Sequence, residues 1–262
     1  MNYVFFIQIL HQNVQITRYL NHHIVHIQQI PLFLSPKVSP LSYFALKLAE
    51  INQRIKLAKQ NFVFCTLMEQ FKEFVKKRIN VSEEELDDIV SRYHVRKIKK
   101  KEYFLRAGEI CHYEAYVLSG LFKSFYVTAD GIEHILQFAI EDWWVGDIAS
   151  FNYQEPALQN IQALEDSVVL TLSKTDKDKL YEDHPIYEKL SRIMAQRAQI
   201  ASQHRIISSI GFTAQERYLD FIKRYPKIYP RISNMQLASY LGVTQEFLSR
   251  LKRQILKPNR NS

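Results

Sequence analysis

The sequence predicts an α+β chain in which an antiparallel β-roll, of the double-stranded β-helix or jelly-roll type, precedes a long helix and an all-α C-terminal domain. Three observations favour this order. Short apolar runs separated by turn signals lie between about residues 93 and 172, a heptad-like pattern spans residues 186–207, and a helix–glycine–helix pattern spans residues 233–253. Closely spaced short strands are typical of rolls, and a sustained heptad indicates a long helix.

The composition is that of a folded chain long enough for more than one domain. Of 262 residues, 47% are hydrophobic and 24% charged, which is ordinary for globular proteins. No run approaches the ~20 apolar residues of a membrane span. The two cysteines, Cys65 and Cys111, form neither a disulfide framework nor a cluster with metal-ligand spacing. We therefore expect a cytoplasmic protein with no membrane association, metal or cofactor.

Residues 1–67 differ from the rest of the chain, since they hold six Lys and Arg but one Glu. We expect Met68 to be the natural start and residues 1–67 to be an atypical extension read from upstream sequence; the alternative is a genuine extension that docks on the core. His22, His23 and His26 are more readily explained as a solvated cluster than as metal ligands, because no Cys or carboxylate accompanies them. The remaining domains are expected at 68–183 (the roll), 184–210 (the long helix) and 211–262.

Local signals place the elements of the roll. Ser82 followed by Glu85 predicts a capping box at a helix start. The turn at Ser119-Gly120 predicts one β-hairpin over residues 116–127, and Asp130-Gly131 predicts a second. The basic cluster at residues 96–101 favours a solvated strand edge, since edge lysines oppose aggregation; a nucleic-acid patch is the alternative.

The long helix carries a pattern that predicts a homodimer. Seven positions follow alternating spacings of four and three and form the predicted dimer seam: Ile186, Leu190, Ile193, Arg197, Ile200, His204 and Ile207. Five of the seven are apolar, and polar positions in such a seam fix its register at a cost in stability. The alternative is a helix that packs only on its own roll. Gly211 is expected to be the hinge into the last domain.

Residues 233–253 predict a helix-turn-helix. Gly242 can adopt the positive φ that ends the first helix, and Thr244 can cap the second. Phe247, Leu248 and Leu251 are then expected to face inward. The opposite face would read bases through Gln245, Glu246, Ser249 and Arg250, while Thr244, Lys252 and Arg253 would contact phosphate.

The charge of this last segment supports nucleic-acid binding. Residues 211–262 hold ten Lys and Arg against three Asp and Glu, and phosphate contacts require such an excess. An ordinary helical hairpin with a solvated polar face is the alternative.

The order of elements resembles that of the Crp/Fnr family of bacterial transcription regulators over about residues 68–256. The resemblance rests on RAGEI with YVLSGLFKSFY, on DGIEH, on Gly146-Asp147 through NIQALEDS, and on the helix-turn-helix. It implies a roll of the cyclic-nucleotide-binding type, a dimerisation helix and a winged-helix-like DNA-binding domain. It also implies a palindromic double-stranded DNA operator and RNA polymerase as partners. Because the chain ends soon after Ile255, little or no wing is expected.

The effector site departs from the family pattern. In nucleotide-binding members a Gly-Glu pair is followed, ten residues after the Glu, by an Arg that holds the phosphate. Here Gly146-Asp147 matches the pair, and Ala157, Leu158 and Gln159 stand where Arg-Ser-Ala is expected. The resemblance thus implies an effector pocket without its phosphate-binding guanidinium, and we expect no tight binding of cyclic AMP or cyclic GMP.

Other functions are less well supported by the residues. Two distant cysteines do not provide the thiolates of an iron–sulfur cluster, although His112 leaves a haem ligand open. No Ser/His/Asp set or phosphate-binding loop indicates an enzyme. The favoured function is a dimeric, DNA-binding regulator with an unknown small-molecule effector or none. The alternative is a sensing or interaction module with a vestigial DNA-binding domain.

Overall fold

The computed structural model describes residues 66–256, so the three histidines at 22, 23 and 26 and most of the predicted extension lie outside the described residues. The described chain begins in a helix that ends at residue 76 (α1). Helix α2 spans Glu83–Ser91 and begins with the predicted capping box. The Ser82 hydroxyl accepts the Glu85 N–H at 3.2 Å, and the Glu85 carboxylate accepts the Ser82 N–H at 2.9 Å.

Eight strands in the described part form two open, four-stranded antiparallel sheets. The first has the order β1-β8-β3-β6 and the second β2-β7-β4-β5. The strands are β1 His94–Ile98, β2 Tyr103–Leu105, β3 Tyr113–Ser119, β4 Phe122–Val127, β5 Glu133–Ala139, β6 Trp144–Val145, β7 Asn160–Ala163 and β8 Ser167–Ser173. Strand β1, which carries part of the basic cluster, is an edge strand, as the lysine pattern predicts.

The two predicted hairpins have different outcomes. Strands β4 and β5 pair antiparallel around Gly131, which adopts φ +83°, so the Asp130-Gly131 hairpin is confirmed. The prediction of a hairpin at Ser119-Gly120 is wrong, because β3 and β4 belong to different sheets. Gly120 has φ +114°, and a Cβ there would lie 2.0 Å from the Ser167 Oγ atom. The glycine therefore allows the chain to cross from one sheet to the other past β8.

Apolar side chains fill both faces of the first sheet. Between the sheets lie Ala115, Val117, Phe122 and Val169, among others. On its outer face, Tyr116 and other residues pack against α1, α2 and the two helices that follow the roll. Alternation along β3 thus sends neighbouring residues to opposite sides, and the resulting core fixes where the long helix lies.

One short helix inside the roll and the helices that follow the roll carry the candidate sites. They are α3 Ile148–Tyr153, α4 Lys174–Asp183, α5 Pro185–Gly211, α6 Ala214–Arg224, α7 Asn234–Leu241 and α8 Gln245–Leu256, with a 3₁₀ turn at Tyr229–Arg231. Gly211, the predicted hinge, is the last residue of α5: the chain leaves the helix at Phe212, which is extended, and Thr213 caps α6. No helix among the described residues is both long and apolar enough to span a bilayer.

The C-terminal helices pack directly against the second sheet. A shared core joins Phe125, Ile135 and Phe138 of the sheet with Phe221 and Tyr240 of the helices. Ser239 of α7 extends the edge of β5, since its hydroxyl accepts the Ile135 N–H at 3.0 Å and donates to the Glu133 carbonyl at 2.7 Å. The orientation of α7 is therefore set by the roll.

Candidate functional site

The two last helices form a helix-turn-helix with well-defined caps. Ser233 and Gln236 make a capping box at the start of α7. The helix ends at Gly242, which adopts φ +68°, and the Val243 N–H closes the turn on the Ala238 carbonyl at 3.1 Å. The Thr244 hydroxyl then accepts the Phe247 N–H at 3.1 Å, which starts α8. The predicted turn chemistry at Gly242 and Thr244 is confirmed.

Helix α8 buries Leu248 and Leu251 and presents one continuous polar face. That face is lined by Gln245, Glu246, Ser249, Arg250 and Arg253. The four residues predicted to read bases therefore lie together, and Arg253 joins them. Within residues 66–256, the Arg250 side chain forms no ion pair or hydrogen bond, so it does not pair with Glu246 and its guanidinium donors are available to a ligand.

The three residues predicted to contact phosphate have different surroundings in the structure. Thr244 is the cap of α8, and Arg253 donates from Nε to the Ser249 carbonyl at 3.3 Å while sharing the polar face. Lys252 instead lies beside α7, where its amine donates to Asn234 Oδ1 at 2.6 Å.

Lys252 also lies near a tyrosine pair behind the helix-turn-helix. Its Nζ atom is 5.5 Å from the Tyr218 ring and 5.2 Å from the Tyr229 ring. The hydrogen bond with Tyr218, followed by the Lys252 ammonium, lowers the pKa of Tyr229. Lys252 thus braces the two helices of the motif, and its predicted phosphate contact competes with this internal role.

Phe247 is not an inward-facing residue, contrary to the sequence prediction. Its relative exposure is 40%, whereas Leu248 is fully buried and Leu251 is 6% exposed. Successive residues on an α-helix are rotated by about 100°. The buried side is centred on Leu248 and Leu251, so Phe247 falls at the border of the polar face.

The predicted effector residues do not converge on one pocket. Asp147 is buried and caps α3, where its carboxylate accepts the Ser150 N–H at 3.0 Å. Ala157 is buried between the sheets and is held through its backbone, which pairs with Gly108 and Glu109 at 2.8 Å each. Leu158 points outward with 80% exposure. The carboxylate of Asp147 therefore caps the N-terminus of α3 from within the chain.

A cavity of ≈ 450 Å³ lies beside this segment, between the roll and α5. Gly146 and Asp147 line one side, and the α4–α5 region lines the other. Its wall contains an ion pair between Lys177 Nζ and Glu114 Oε2 at 2.5 Å, with both side chains 15% exposed. Burial opposes the charge of Lys177, but Glu114 outweighs it, so the pKa of the lysine is raised. The sequence holds no local signal for this pair, which lies 63 residues apart.

The cysteine and histidine considered for metal or haem chemistry have ordinary partners. The Cys111 thiol is buried and donates to the Tyr113 carbonyl, and burial raises its pKa. His112 Nδ1 lies 3.1 Å from Gln154 Oε1. No group of three or more His, Cys, Asp or Glu in the described part of the chain could hold a metal ion. Cys65 lies outside the described residues.

The structure divides the predicted dimer seam. Leu190 is 1% exposed inside its own core, where Ile186 also packs, so Leu190 cannot face a second copy. Ile193 is half-buried and Arg197 is exposed. Ile200 and Ile207, by contrast, are 65% and 60% exposed. The core of the roll therefore covers Ile186 and Leu190 at the start of the predicted seam, and the seam as a dimer contact stays a prediction.

The side chain of His204, another residue of the predicted seam, contacts helix α6. Its Nε2 atom accepts a hydrogen bond from Arg224 at 2.6 Å and lies 3.8 Å from Asp220, both on α6. Ile206 and Ile210 are also exposed near the end of α5. The free apolar face of this helix is therefore shifted towards Ile200, Ile206, Ile207 and Ile210.

Comparisons with known proteins agree with this architecture. Residues 95–184 match the family described as the cyclic nucleotide-binding domain. The chain is similar to the fumarate and nitrate reduction regulatory protein of Yersinia pestis, with 28% identity over 188 residues that cover 67% of this chain and 73% of that one. The chain spans between 66% and 73% of the length of such curated relatives.

Two solved structures share the fold. FixK2 from Bradyrhizobium japonicum is 18% identical with a TM-score of 0.56, covering 62% of this chain and 84% of that one. A chain from Eubacterium rectale assigned to the crp/fnr family of transcriptional regulators is 16% identical with a TM-score of 0.53, covering 67% and 84%. The roll, the following long helix and the terminal helix-turn-helix therefore stand in the order shared by these structures, and the comparisons support the resemblance to the Crp/Fnr family of transcription regulators.

Proposed function

We propose that the chain is a homodimeric regulator that binds double-stranded DNA at a specific palindromic sequence. The observation that carries this proposal is the exposed polar face of α8, formed by Gln245, Glu246, Ser249, Arg250 and Arg253. The N-terminal residues of a recognition helix contact base edges in the major groove. Arg250 can pair bidentately with the O6 and N7 of guanine, and Glu246 can accept from the amino group of cytosine.

The exposed isoleucines of α5 support dimerisation. Ile200 and Ile207 lie seven residues apart on one helix and are both exposed. A stripe with this spacing can pair with the same stripe of a second copy, and a twofold dimer would present two copies of α8 to the two halves of a palindrome. RNA polymerase as a further partner stays a prediction from the family.

We also propose that DNA binding does not depend on cyclic AMP. The buried carboxylate of Asp147 accepts the Ser150 N–H at the start of α3, and no guanidinium stands at Ala157 or its neighbours. A phosphate placed at the start of α3 would meet this negative charge, and the nearby Lys177 is already paired with Glu114. Isothermal calorimetry with cyclic AMP and cyclic GMP tests this: we expect no heat at micromolar ligand, and a micromolar Kd would overturn it.

The experiment for the main proposal is selection from a randomised DNA duplex library with the full-length protein, followed by gel shifts on the enriched sequence. We expect a single palindromic motif. The control is the double variant Glu246→Ala, Arg250→Ala, whose substituted side chains are both exposed, so it should fold but enrich no motif. Failure of the wild-type protein to enrich any duplex, or equal enrichment by the double variant, would contradict the assignment.

A further inference from the structure

The exposed ring of Phe247 is an unexplained feature of α8. It is the third residue of the helix and lies in the first turn, one residue after Glu246 and three before Arg250. Its exposure of 40% contrasts with the buried Leu248 beside it. Residues three apart lie on the same side of a helix. The ring therefore borders the polar face formed by Arg250 and its neighbours.

Nothing in the described part of the chain gives this ring an aromatic partner. Within residues 66–256, Phe247 has no ring or cation contact, and its one recorded hydrogen bond is from its backbone N–H to Thr244 Oγ1. Large apolar side chains stabilise proteins by leaving water, so an aromatic ring beside the polar face proposed to bind DNA points to an apolar ligand atom at that surface.

The major groove offers one strongly apolar group. Adenine, guanine and cytosine present hydrogen-bond donors and acceptors there, whereas thymine presents its C5 methyl, which phenylalanine can contact. We infer that Phe247 is a specificity-determining residue that packs against the methyl group of a thymine. The thymine would adjoin the base pairs read by Glu246 and Arg250. This inference rests on the proposed DNA-binding function.

The test is a double-mutant cycle between the protein and the DNA. In the duplex selected by wild-type protein, each thymine is replaced in turn by deoxyuridine, which lacks only the methyl group. Within each half-site, replacement of one particular thymine should weaken wild-type binding by about fourfold. This is the equivalent of one buried methyl at ~0.8 kcal/mol. Phe247→Ala should bind the unmodified duplex at least that much more weakly and should be insensitive to the same replacement.

Two control variants separate this role from a structural one. Phe247→Leu keeps an apolar side chain and should retain part of the sensitivity to deoxyuridine. Leu219→Ala removes an exposed apolar side chain, 45% exposed, from α6 and should leave binding and sensitivity unchanged. If Phe247→Ala fails to fold, the deoxyuridine scan on the wild-type protein and Phe247→Leu decides.

The outcomes distinguish the inference from the function on which it rests. Equal deoxyuridine effects in wild-type protein and Phe247→Ala, or a wild-type protein indifferent to every replacement, would overturn the thymine contact while leaving DNA binding intact. A wild-type protein that selects no duplex at all would overturn the proposed function itself.

Discussion

Arg231 forms two parallel hydrogen bonds with Glu141, 90 residues away, at 2.9 and 3.0 Å. The same guanidinium bonds Glu165 at 3.1 and 2.7 Å. Arg231 belongs to the 3₁₀ turn before α7, and both glutamates belong to loops of the roll. The rigid fork of arginine suits such bidentate contacts. Together with the contact of Ser239 to β5, these contacts of Arg231 fix the helix-turn-helix on its own roll.

Arg231→Met should lower the free energy of unfolding by about 1–2 kcal/mol, because it leaves two carboxylates without their cation. This is the lower part of the range for charged hydrogen bonds, since both glutamates are more than a third exposed. Urea unfolding measures the change. Lys227→Met, which removes an exposed positive charge from the same stretch, is the control, and equal midpoints for the two variants would contradict the prediction.

The Glu141 contact should make stability depend on pH in one direction. Burial alone would raise the pKa of Glu141, but hydrogen bonds from Arg231 and from the Gly120 N–H outweigh it, so its folded pKa is lowered. A lowered folded pKa gives stability that is present above the unfolded pKa, about 4.3, and lost as pH falls through the folded value.

The corresponding measurement compares wild-type protein with Glu141→Gln by urea unfolding at several pH values. The variant should be less stable at neutral pH, and the difference should shrink once pH falls below about 4.3. Glu182→Gln, at an exposed position, controls for a general loss of negative charge. A difference that is constant with pH, or that grows on acidification, would be inconsistent with the contact.

Local patterns predicted most helices and one of the two hairpins, because caps and turns depend on neighbouring residues. The Ser82 and Ser233 boxes and the Asp130-Gly131 turn belong to this class. The prediction of a hairpin at Gly120 was wrong because a turn signal does not indicate which sheet the next strand joins. The close approach of Ser167, 47 residues further on, explains why the crossing needs a glycine at position 120.

The polar face of α8 followed from helical periodicity, but its surroundings did not. Whether Phe247 faces inward depends on which side of α8 the neighbouring helices cover. Leu190 likewise fits the seam by spacing and is nevertheless covered by the roll. The Arg231 contacts join positions 66 and 90 residues apart, and single charged residues carry no pattern that identifies their distant partners.

Ile200→Glu combined with Ile207→Glu should convert the protein to a monomer. Each buried isoleucine contributes at most ~1.5–3 kcal/mol to association, twofold symmetry doubles every change, and the new carboxylates would repel one another. Sedimentation at micromolar concentration is the measurement. Leu190→Ala should instead cost the protomer ~2–5 kcal/mol of unfolding free energy with less effect on association. Persistence of the dimer in the double variant would place the interface elsewhere.

Asp147→Ala should destabilise the fold by ~0.5–2 kcal/mol through loss of the cap on α3. Asp147→Asn is the matched control, because the amide oxygen can still accept the Ser150 N–H, and it should cost less. Thermal unfolding of the three proteins gives the comparison. If the alanine variant is as stable as wild-type protein, the buried carboxylate contributes no net capping to α3.

Arg250→Ala should weaken specific DNA binding by ~1–3 kcal/mol per half-site and relax the preference at one base pair, while the melting temperature stays unchanged. The physical reason is that Arg250 has no partner among the described residues, so its loss removes a base contact and no internal one. The measurement is a gel-shift titration over single base-pair variants of the selected duplex.

Lys252→Ala is the informative comparison, because its amine holds Asn234 at 2.6 Å inside the motif. A lysine that only contacted phosphate would weaken all sequences alike and reduce the salt slope by about one unit. A bracing lysine would instead lower the melting temperature, leaving the salt slope nearly unchanged. We expect the bracing outcome for Lys252 and loss of base preference for Arg250. Should Arg250→Ala lower the melting temperature with specific binding intact, Arg250 would be structural and the base-reading face of α8 would have to be reassigned.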